Sequence, residues 1–401
     1  MRLVMVAHSF PRSETDVAGA FLWRFAEALV DRGHRVLVIA PADRGEIGPP
    51  VLGRVDVRRV RYASPARETL AYQGTMHRLS GASPLAALAF LRMVRALSRA
   101  VTDECRGGDI NLVHAHWWVP GGLAASLSDR RGRPLVVTMH GTDVALARKV
   151  PGARRAMGAV LRRAAAVTAV SSYLADEAAA ASGKPRESIA VTPMPLLPAL
   201  PALNQAPVPS GVVFVGRLTR QKCVHDLLDA LATLKKGGLP IDLTVVGDGP
   251  EREALKAQAL ALGVPVVFTG FVAPEHVAGQ VAGKRLLVLP SVNEGLGLVV
   301  AEALTLGVPV VATRSGGIPD LLTDPEAGLL VPPSDPTALA AAIKTLATDD
   351  RFLAGARAAG RALADRLSPA RVAEGFEEVY WRARGGRRSS GGRTSIGGAR
   401  G

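Results

Sequence analysis

Cysteine is nearly absent: Cys105 and Cys223 are the two in 401 residues. That excludes a disulfide framework and a cysteine-rich zinc site. Aromatic residues make up only 4% of the chain, and no stretch interleaves them with basic residues, so base-stacking platforms for nucleic acid are not expected. Long apolar runs are also missing. LAALAFL at 85–91 stops at Arg92, far short of the 18 or so residues that a spanning helix requires. The opening MRLVMVAHSF is too short for a signal peptide and reads as a first strand. The expectation is a cytoplasmic protein, at most peripheral on the cytoplasmic face of a membrane. Two further absences matter: no GxxxxGK[ST] loop, and no GxGxxG after the first strand, so neither an ATPase loop nor a classical dinucleotide fold is indicated.

What is present is apolar enough to fold, at 48% hydrophobic residues, and long enough for two domains. The net charge of +14 is unevenly placed. Residues 1–200 hold 27 basic and 16 acidic side chains, residues 201–380 hold 16 and 19, and residues 381–401 hold six and none. A basic first half suits an anionic substrate or an anionic membrane surface better than nucleic acid.

Buried-strand runs alternate with helical patterns twice. The first series is 2–8, 35–41, 57–62, 109–116, 134–140 and 165–171, with helices expected near 17–32, 84–104, 121–130 and 152–163. Six prolines in 193–210 then rule out a helix interior or central strand. The series restarts with strands at 211–218, 241–249, 265–271, 285–291 and 309–316, and helices over 224–235, 250–262, 298–306 and 336–347. This order predicts two α/β Rossmann-like doubly wound domains facing across a cleft, with ligands beyond the carboxyl ends of strands. The expected division is a first domain over 1–195, a linker over 196–210, a second domain over 211–365, a C-terminal helix over 366–383 packing back toward the first domain, and a disordered basic tail over 384–401.

The strand ends carry the chemistry. In Gly216-Arg217-Leu218-Thr219-Arg220-Gln221-Lys222, Arg217 and Lys222 place two cations on a short loop entering a helix, an arrangement able to hold a diphosphate. A solvated basic loop would look the same. Glu294 and Glu302 flank Gly295 and Gly297, which allow close backbone approach and expose amides at a helix start. Glu302, expected two helical turns on and near the same face, sits among apolar neighbours and calls for hydroxyl partners; the alternative is a carboxylate answering the helix dipole with a solvent-facing helix glutamate. His114, His116 and His140 with Asp143 could be taken as a zinc set, but they lie on two strands without metal-ligand spacing, and His140 reads better as a hydrogen-bond donor at the cleft. Arg92, Arg95 and Arg99 share a helix face that either is solvated or touches anionic lipid.

The set GRLTRQK, VVGDGP, VFTGF, PSVNEGLGLVVAEALTLGVPVVATRSGGIPD and GLLVPPSDP resembles the donor domain of the retaining glycosyltransferases of family 4, which have the GT-B fold. RGHRVLVIAP, VHAHWWVPGG and VTMHGTD resemble the acceptor domain of that family, and the likeness runs over roughly 1–380. By position, the resemblance implies that Arg217 and Lys222 hold the donor diphosphate, Glu294 the transferred hexose and Glu302 the ribose. It places Phe271 and Val272 by the base, and His140 by sugar and phosphate. Gly19, Gly216 and the backbone of Gly295, Leu296, Gly297 and Leu298 would complete the site. Glycine appears once, as Ala18-Gly19, where the family has a pair; Leu296 replaces a phenylalanine and Asp320 a glutamate. The implied reaction is metal-independent retaining transfer of a hexose from a UDP- or, less commonly, GDP-sugar to a saccharide or lipid-linked acceptor, as in cell-surface polysaccharide or glycolipid synthesis. A GT-B-like epimerase and a nucleic-acid-binding protein using the basic tail are the competing readings.

Overall fold

The computed structural model describes residues 1–16, 18–72, 83–196 and 210–386. The first domain is an eight-stranded sheet. Its strands are β1 (Arg2–Val6), β2 (Arg35–Pro41), β3 (Val51–Leu52), β4 (Val55–Val60), β5 (Leu112–His116), β6 (Leu135–Met139), β7 (Ala166–Ala169) and β8 (Ile189–Val191). The spatial order is β3-β4-β2-β1-β5-β6-β7-β8. All neighbours are parallel except β3 on β4. Helices α1 (Ala20–Asp31), α2 (Pro84–Arg106), α3 (Leu123–Leu127), α4 (Thr142–Lys149), α5 (Ala153–Arg163) and α6 (Ser172–Ser182) connect them. The central strands are apolar runs because both faces are covered by helices; β6, LVVTM, is buried at every position.

The second domain is a wholly parallel six-stranded sheet in the order β11-β10-β9-β12-β13-β14. Its strands are β9 (Val212–Val215), β10 (Leu243–Val246), β11 (Val266–Gly270), β12 (Leu286–Leu289), β13 (Val310–Thr313) and β14 (Gly328–Val331). The helices are α7 (Val224–Lys236), α8 (Arg252–Leu262), α9 (Pro274–Val281), α10 (Leu298–Thr305), α11 (Pro336–Thr348), α12 (Arg351–Arg366) and α13 (Pro369–Ala383). Two Rossmann-like sheets therefore face one another across a cleft.

Three local expectations are corrected. The helix expected over 121–130 is only α3, because Trp118–Gly122 forms a wide turn and the Val119–Pro120 peptide is cis. The helices α4, α6, α9 and α12 were not singled out; α4 and α6 open directly from strand ends. The last helix begins at Pro369 rather than 366. Ser368 caps it, its side chain accepting from the Arg371 N–H, and proline follows at the first helical position, while α12 has already ended at Arg366.

Helix α13 lies on the first domain. Phe376 packs on Phe25 with ring centroids 4.6 Å apart. Glu377 accepts from Arg32 at 2.8 and 2.9 Å and sits 2.9 Å from His34 Nε2. The Tyr380 hydroxyl is 2.8 Å from His114 Nδ1. Of the proline-rich segment 193–210, residues 197–209 lie outside the described residues, as does the tail beyond Gly386.

Candidate functional site

On the second domain, the loop after β9 turns at Gly216 and closes as a 3-10 turn over Arg220–Lys222 before α7. Lys222 Nζ lies 2.6 Å from Glu294 Oε2, with both side chains less than a fifth exposed. Arg217 is exposed and its guanidinium has no hydrogen-bond or ion-pair partner among the described residues. The two cations thus differ: one is tied to a carboxylate, the other projects into solvent.

Glu294 is presented by a turn rather than by a helix. Asn293 is left-handed (φ 53°), its N–H donates to Ser315 Oγ, and the Gly317 N–H donates to the Glu294 carbonyl at 2.9 Å. Gly316 is obligatory here. Its φ is +62°, and a Cβ would lie 1.9 Å from the Glu294 carbonyl oxygen. Gly297, also left-handed, opens α10 without a side-chain cap, so amides at the helix start are not consumed by a capping side chain. Because α10 begins at Leu298, Glu302 stands about one turn into the helix. The expected two-turn helical separation from Glu294 does not occur. No hydrogen bond to the Glu302 carboxylate is found among the described residues, and burial pushes its pKa up. Leu296 is buried. At the end of β11, Phe271 is 75% exposed and Val272 is partly buried.

On the first domain, the ends of β5 and β6 bring a cluster of rings together. His140 Nε2 is 3.0 Å from His116 Nδ1, and its ring lies 4.4 Å from that of Trp117. The buried Asp143 carboxylate accepts from the N–H groups of Trp118, His140, Gly141 and Val144, which fixes the strand-to-helix turn carrying His140. Burial, reinforced by neighbouring imidazoles, holds His140 and His116 well below the usual histidine value. Burial alone brings His8 to about 4 and His114 to about 3. His114 and His116 do share one face, with ring centroids 4.1 Å apart. Three of their four nitrogens are engaged, by Tyr380, Thr138 and His140, whereas the buried His116 Nε2 has no hydrogen-bond partner among the described residues. Among the described residues, the one group of potential ligand atoms close enough for a metal is Cys223, His225 and Asp226, three near neighbours in sequence away from the histidines.

Gly19 caps α1 at φ 80°, where a Cβ would come within 2.5 Å of the Ser9 carbonyl oxygen. The charged loop before it closes on itself: Arg12 pairs with Asp16 at 2.6 Å and with Asp43 at 2.5 Å. Arg12 is therefore committed within its own domain.

The two halves touch at the site. Gly141 and Gly295 approach so closely that a Cβ on Gly295 would lie 2.8 Å from the His140 carbonyl oxygen. Ser171 Oγ donates to the Gly295 carbonyl at 2.6 Å, the Ser172 N–H donates to Asp320 at 2.5 Å, and Arg148 donates to the Asn293 side chain at 3.2 Å. His140 is thus placed beside the Glu294-Gly295 turn and the Lys222 pair. Ser171, Asn293, Arg148 and His116 were not among the expected site residues. Their signal is spatial, because each acts through a partner distant in sequence.

Residues 18–195 match the family described as Glycosyl transferase 4-like domain, and residues 209–349 match Glycosyl transferases group 1. The chain is 32% identical over 304 residues to a GDP-mannose-dependent alpha-(1-6)-phosphatidylinositol monomannoside mannosyltransferase of Mycolicibacterium smegmatis, covering 70% of this chain and 75% of that protein. It is 30% identical over 321 residues to a D-inositol 3-phosphate glycosyltransferase of Segniliparus rotundus, covering 73% and 71%. The chain belongs to the group 1 glycosyl transferases. Among solved structures, this glycosyltransferase is similar to Anabaena HepE in complex with UDP and glucose, with a TM-score of 0.68, 21% identity, and coverage of 94% of this chain and 99% of that one. That likeness gives the GT-B fold. The glycosyltransferase acts on nucleotide-diphosphate sugars, and its two domains meet at Gly141 and Gly295.

Proposed function

We propose that this enzyme moves a hexose from a UDP- or GDP-linked donor to a saccharide or lipid-linked acceptor with retention of the anomeric configuration. The observation that carries the reading is the Lys222–Glu294 pair at 2.6 Å, set against His140 of the opposite domain through the Gly141–Gly295 contact. Arg217 and Lys222, with the amides at the start of α10, hold the donor diphosphate. Their effect is greatest in the transition state, where charge grows on the leaving phosphate. Glu302 takes the ribose hydroxyls, Phe271 and Val272 flank the base, and Glu294 orients the hexose. His140, neutral by burial, donates a hydrogen bond to sugar and phosphate. A retaining course places acceptor and diphosphate on the same face of the hexose, with the leaving phosphate assisting deprotonation of the acceptor. UDP is supported by the UDP complex of Anabaena HepE, and GDP by the named donor of the Mycolicibacterium relative.

The cationic pair supplies the charge that a divalent ion supplies elsewhere, so turnover should survive EDTA; full loss restored by one divalent ion would refute this. A screen of nucleotide hexoses for hydrolysis, then for acceptor extension, tests the main reading. Retention is read from the anomeric coupling in the product by proton NMR, and an inverted product rejects it. Release of free epimerised sugar without an acceptor would favour the epimerase reading.

The enzyme is proposed to touch an anionic membrane through α2. Leu85, Leu88 and Leu91 are exposed beside Arg92, Arg95 and Arg99, and no helix among the described residues is long and apolar enough to span a membrane. Apolar side chains rimmed by arginines suit an interfacial helix. Co-sedimentation with anionic but not zwitterionic vesicles is the expected result.

A further inference from the structure

A cavity of about 360 Å³ opens at the carboxyl end of β2, lined by Arg12, Asp43, Arg44, Glu46 and Tyr72. Its walls are firmly set. Asp43 and Glu46 exchange backbone hydrogen bonds across a tight turn. The fully buried Glu68 carboxylate accepts from the Gly45, Tyr62 and Ala63 N–H groups and from Arg61. Tyr72 donates to the Pro41 carbonyl at 2.9 Å and carries the Arg12 guanidinium 4.9 Å from its ring centre.

One group in this wall is unsatisfied. Asp43 is 7% exposed. Its Oδ2 accepts from Arg12, whereas its buried Oδ1 has no hydrogen-bond partner among the described residues. An orphaned buried carboxylate oxygen is costly unless a ligand hydroxyl or water meets it. The lining charges also balance, with two guanidiniums against two carboxylates. The first half of the chain is strongly basic, yet this cavity offers no net attraction to an anion. Adjacent acceptors and donors beside an aromatic ring suit vicinal hydroxyls.

The site's place in the sheet sets its role. From β2 the order runs through β1 and β5 to β6, three strand spacings or about 14 Å from the strand that delivers His140. That exceeds one sugar ring.

We propose that this cavity is a recognition subsite for the acceptor, selecting an uncharged polyhydroxylated sugar unit set back from the reacting hydroxyl. The inference rests on the glycosyl-transfer reading above, and it implies an acceptor longer than a monosaccharide. Asp43 Oδ1 accepts from a sugar hydroxyl, Arg44 and Glu46 bracket the ring from the open side, and the Arg12–Tyr72 stack closes the back wall.

The test uses the full chain saturated with UDP, titrated with maltotriose, cellotriose, mannotriose and trigalacturonic acid and followed by saturation-transfer NMR. At least one neutral trisaccharide should bind. Its affinity should fall at least tenfold in Asp43→Asn and in the exposed double variant Arg44→Ala/Glu46→Ala, with UDP affinity by calorimetry unchanged. The double variant keeps the test valid where Asp43→Asn fails to fold. Preference for trigalacturonic acid, wild-type saccharide affinity in the double variant, or no trisaccharide bound by a chain that binds UDP would each overturn the proposal. Failure of the wild-type chain to bind either UDP or GDP would overturn the donor reading instead.

Discussion

On the second domain the site is made of charges that answer one another: Lys222 against Glu294, with Arg217 projecting free and Glu302 half-buried a turn into α10. On the first domain the corresponding surface presents neutral imidazoles, with His140 on His116, and the Asp143 carboxylate beneath them is saturated by backbone N–H groups. The difference fits what the proposed function asks of each face. A diphosphate requires fixed positive charge, and the more so as negative charge grows on it while it departs. A hydroxylic acceptor and a sugar ring require donors and acceptors whose orientation is set in advance, without a charge that would have to be desolvated on closure.

The sharpest way to break this comparison is to remove charge from the charged side. Lys222→Ala is expected to lower kcat by about 10³-fold, the upper range for losing a group aimed at developing charge. Glu294→Ala should also depress kcat strongly, yet it frees Lys222 for the diphosphate. UDP should therefore bind Glu294→Ala at least as tightly as wild type, and Lys222→Ala more weakly. Steady-state kinetics with UDP calorimetry separates the two. Equal loss of UDP affinity in both variants would mean that the pair acts as a structural unit rather than as an anion site and its guard.

The next largest effect belongs to the neutral side. His140→Ala should lower turnover by about 10²-fold, as for one transition-state donor, with donor affinity nearly intact because the diphosphate ligands lie on the other domain. A variant with normal turnover would remove His140 from the catalytic set. The same neutral cluster makes the first domain acid-sensitive. His8 and His114 have folded values of about 4 and about 3, below their unfolded value. Their contribution is fully present above about pH 6.5 and is lost as pH falls toward those folded values, because the unfolded chain binds the extra protons. Calorimetric Tm should therefore drop between pH 7 and pH 5, and by less in His8→Phe, whose buried Nδ1 has no partner to lose. The second domain has no buried histidine among its described residues and should not share this slope.

Much of the architecture was legible in sequence because both sheets are parallel and covered. RVLVIAP at 35–41 is β2 residue for residue, and the Ser368-Pro369 pair marks a helix start once the chain is in place. Local segments governed by a single turn were less legible. WWVPGG does not announce a cis peptide, and α4 emerges from Gly141 at φ 110°, which no hydrophobic period reveals. Within the site, the cations and carboxylates at strand ends were readable because they are clustered in sequence. The contacts from Ser171, Ser172 and Arg148 to Gly295, Asp320 and Asn293 span more than 120 residues and exist only across the cleft. The basic tally of the first half was a poor guide to the cavity at the end of β2, because Asp43 and Glu46 meet Arg12 and Arg44 in space and cancel them.

The smallest expected effect sharpens the comparison most finely, because Glu302 belongs to the charged side yet sits in apolar surroundings. Burial raises its carboxyl above the ordinary glutamate value, so the folded state holds its proton at pH values where the unfolded chain has released it. Stability is then greatest below the unfolded value and declines as pH rises toward the folded one, the reverse of the histidine cluster. Glu302→Gln removes the buried charge and keeps the shape. At pH 7 it should show a higher Tm than wild type, a difference that closes as the pH is lowered into the ordinary carboxylate range. Its donor KM should rise by about tenfold, the loss expected when a hydrogen bond to a charged group is weakened, while kcat stays close to wild type because ribose is held alike in ground and transition states. Calorimetry across pH together with donor kinetics reads both at once. A lower Tm at pH 7 would show that the carboxylate is satisfied by the protein itself, and a fall in kcat with unchanged donor KM would move Glu302 from holding the nucleotide to acting on the transferred sugar.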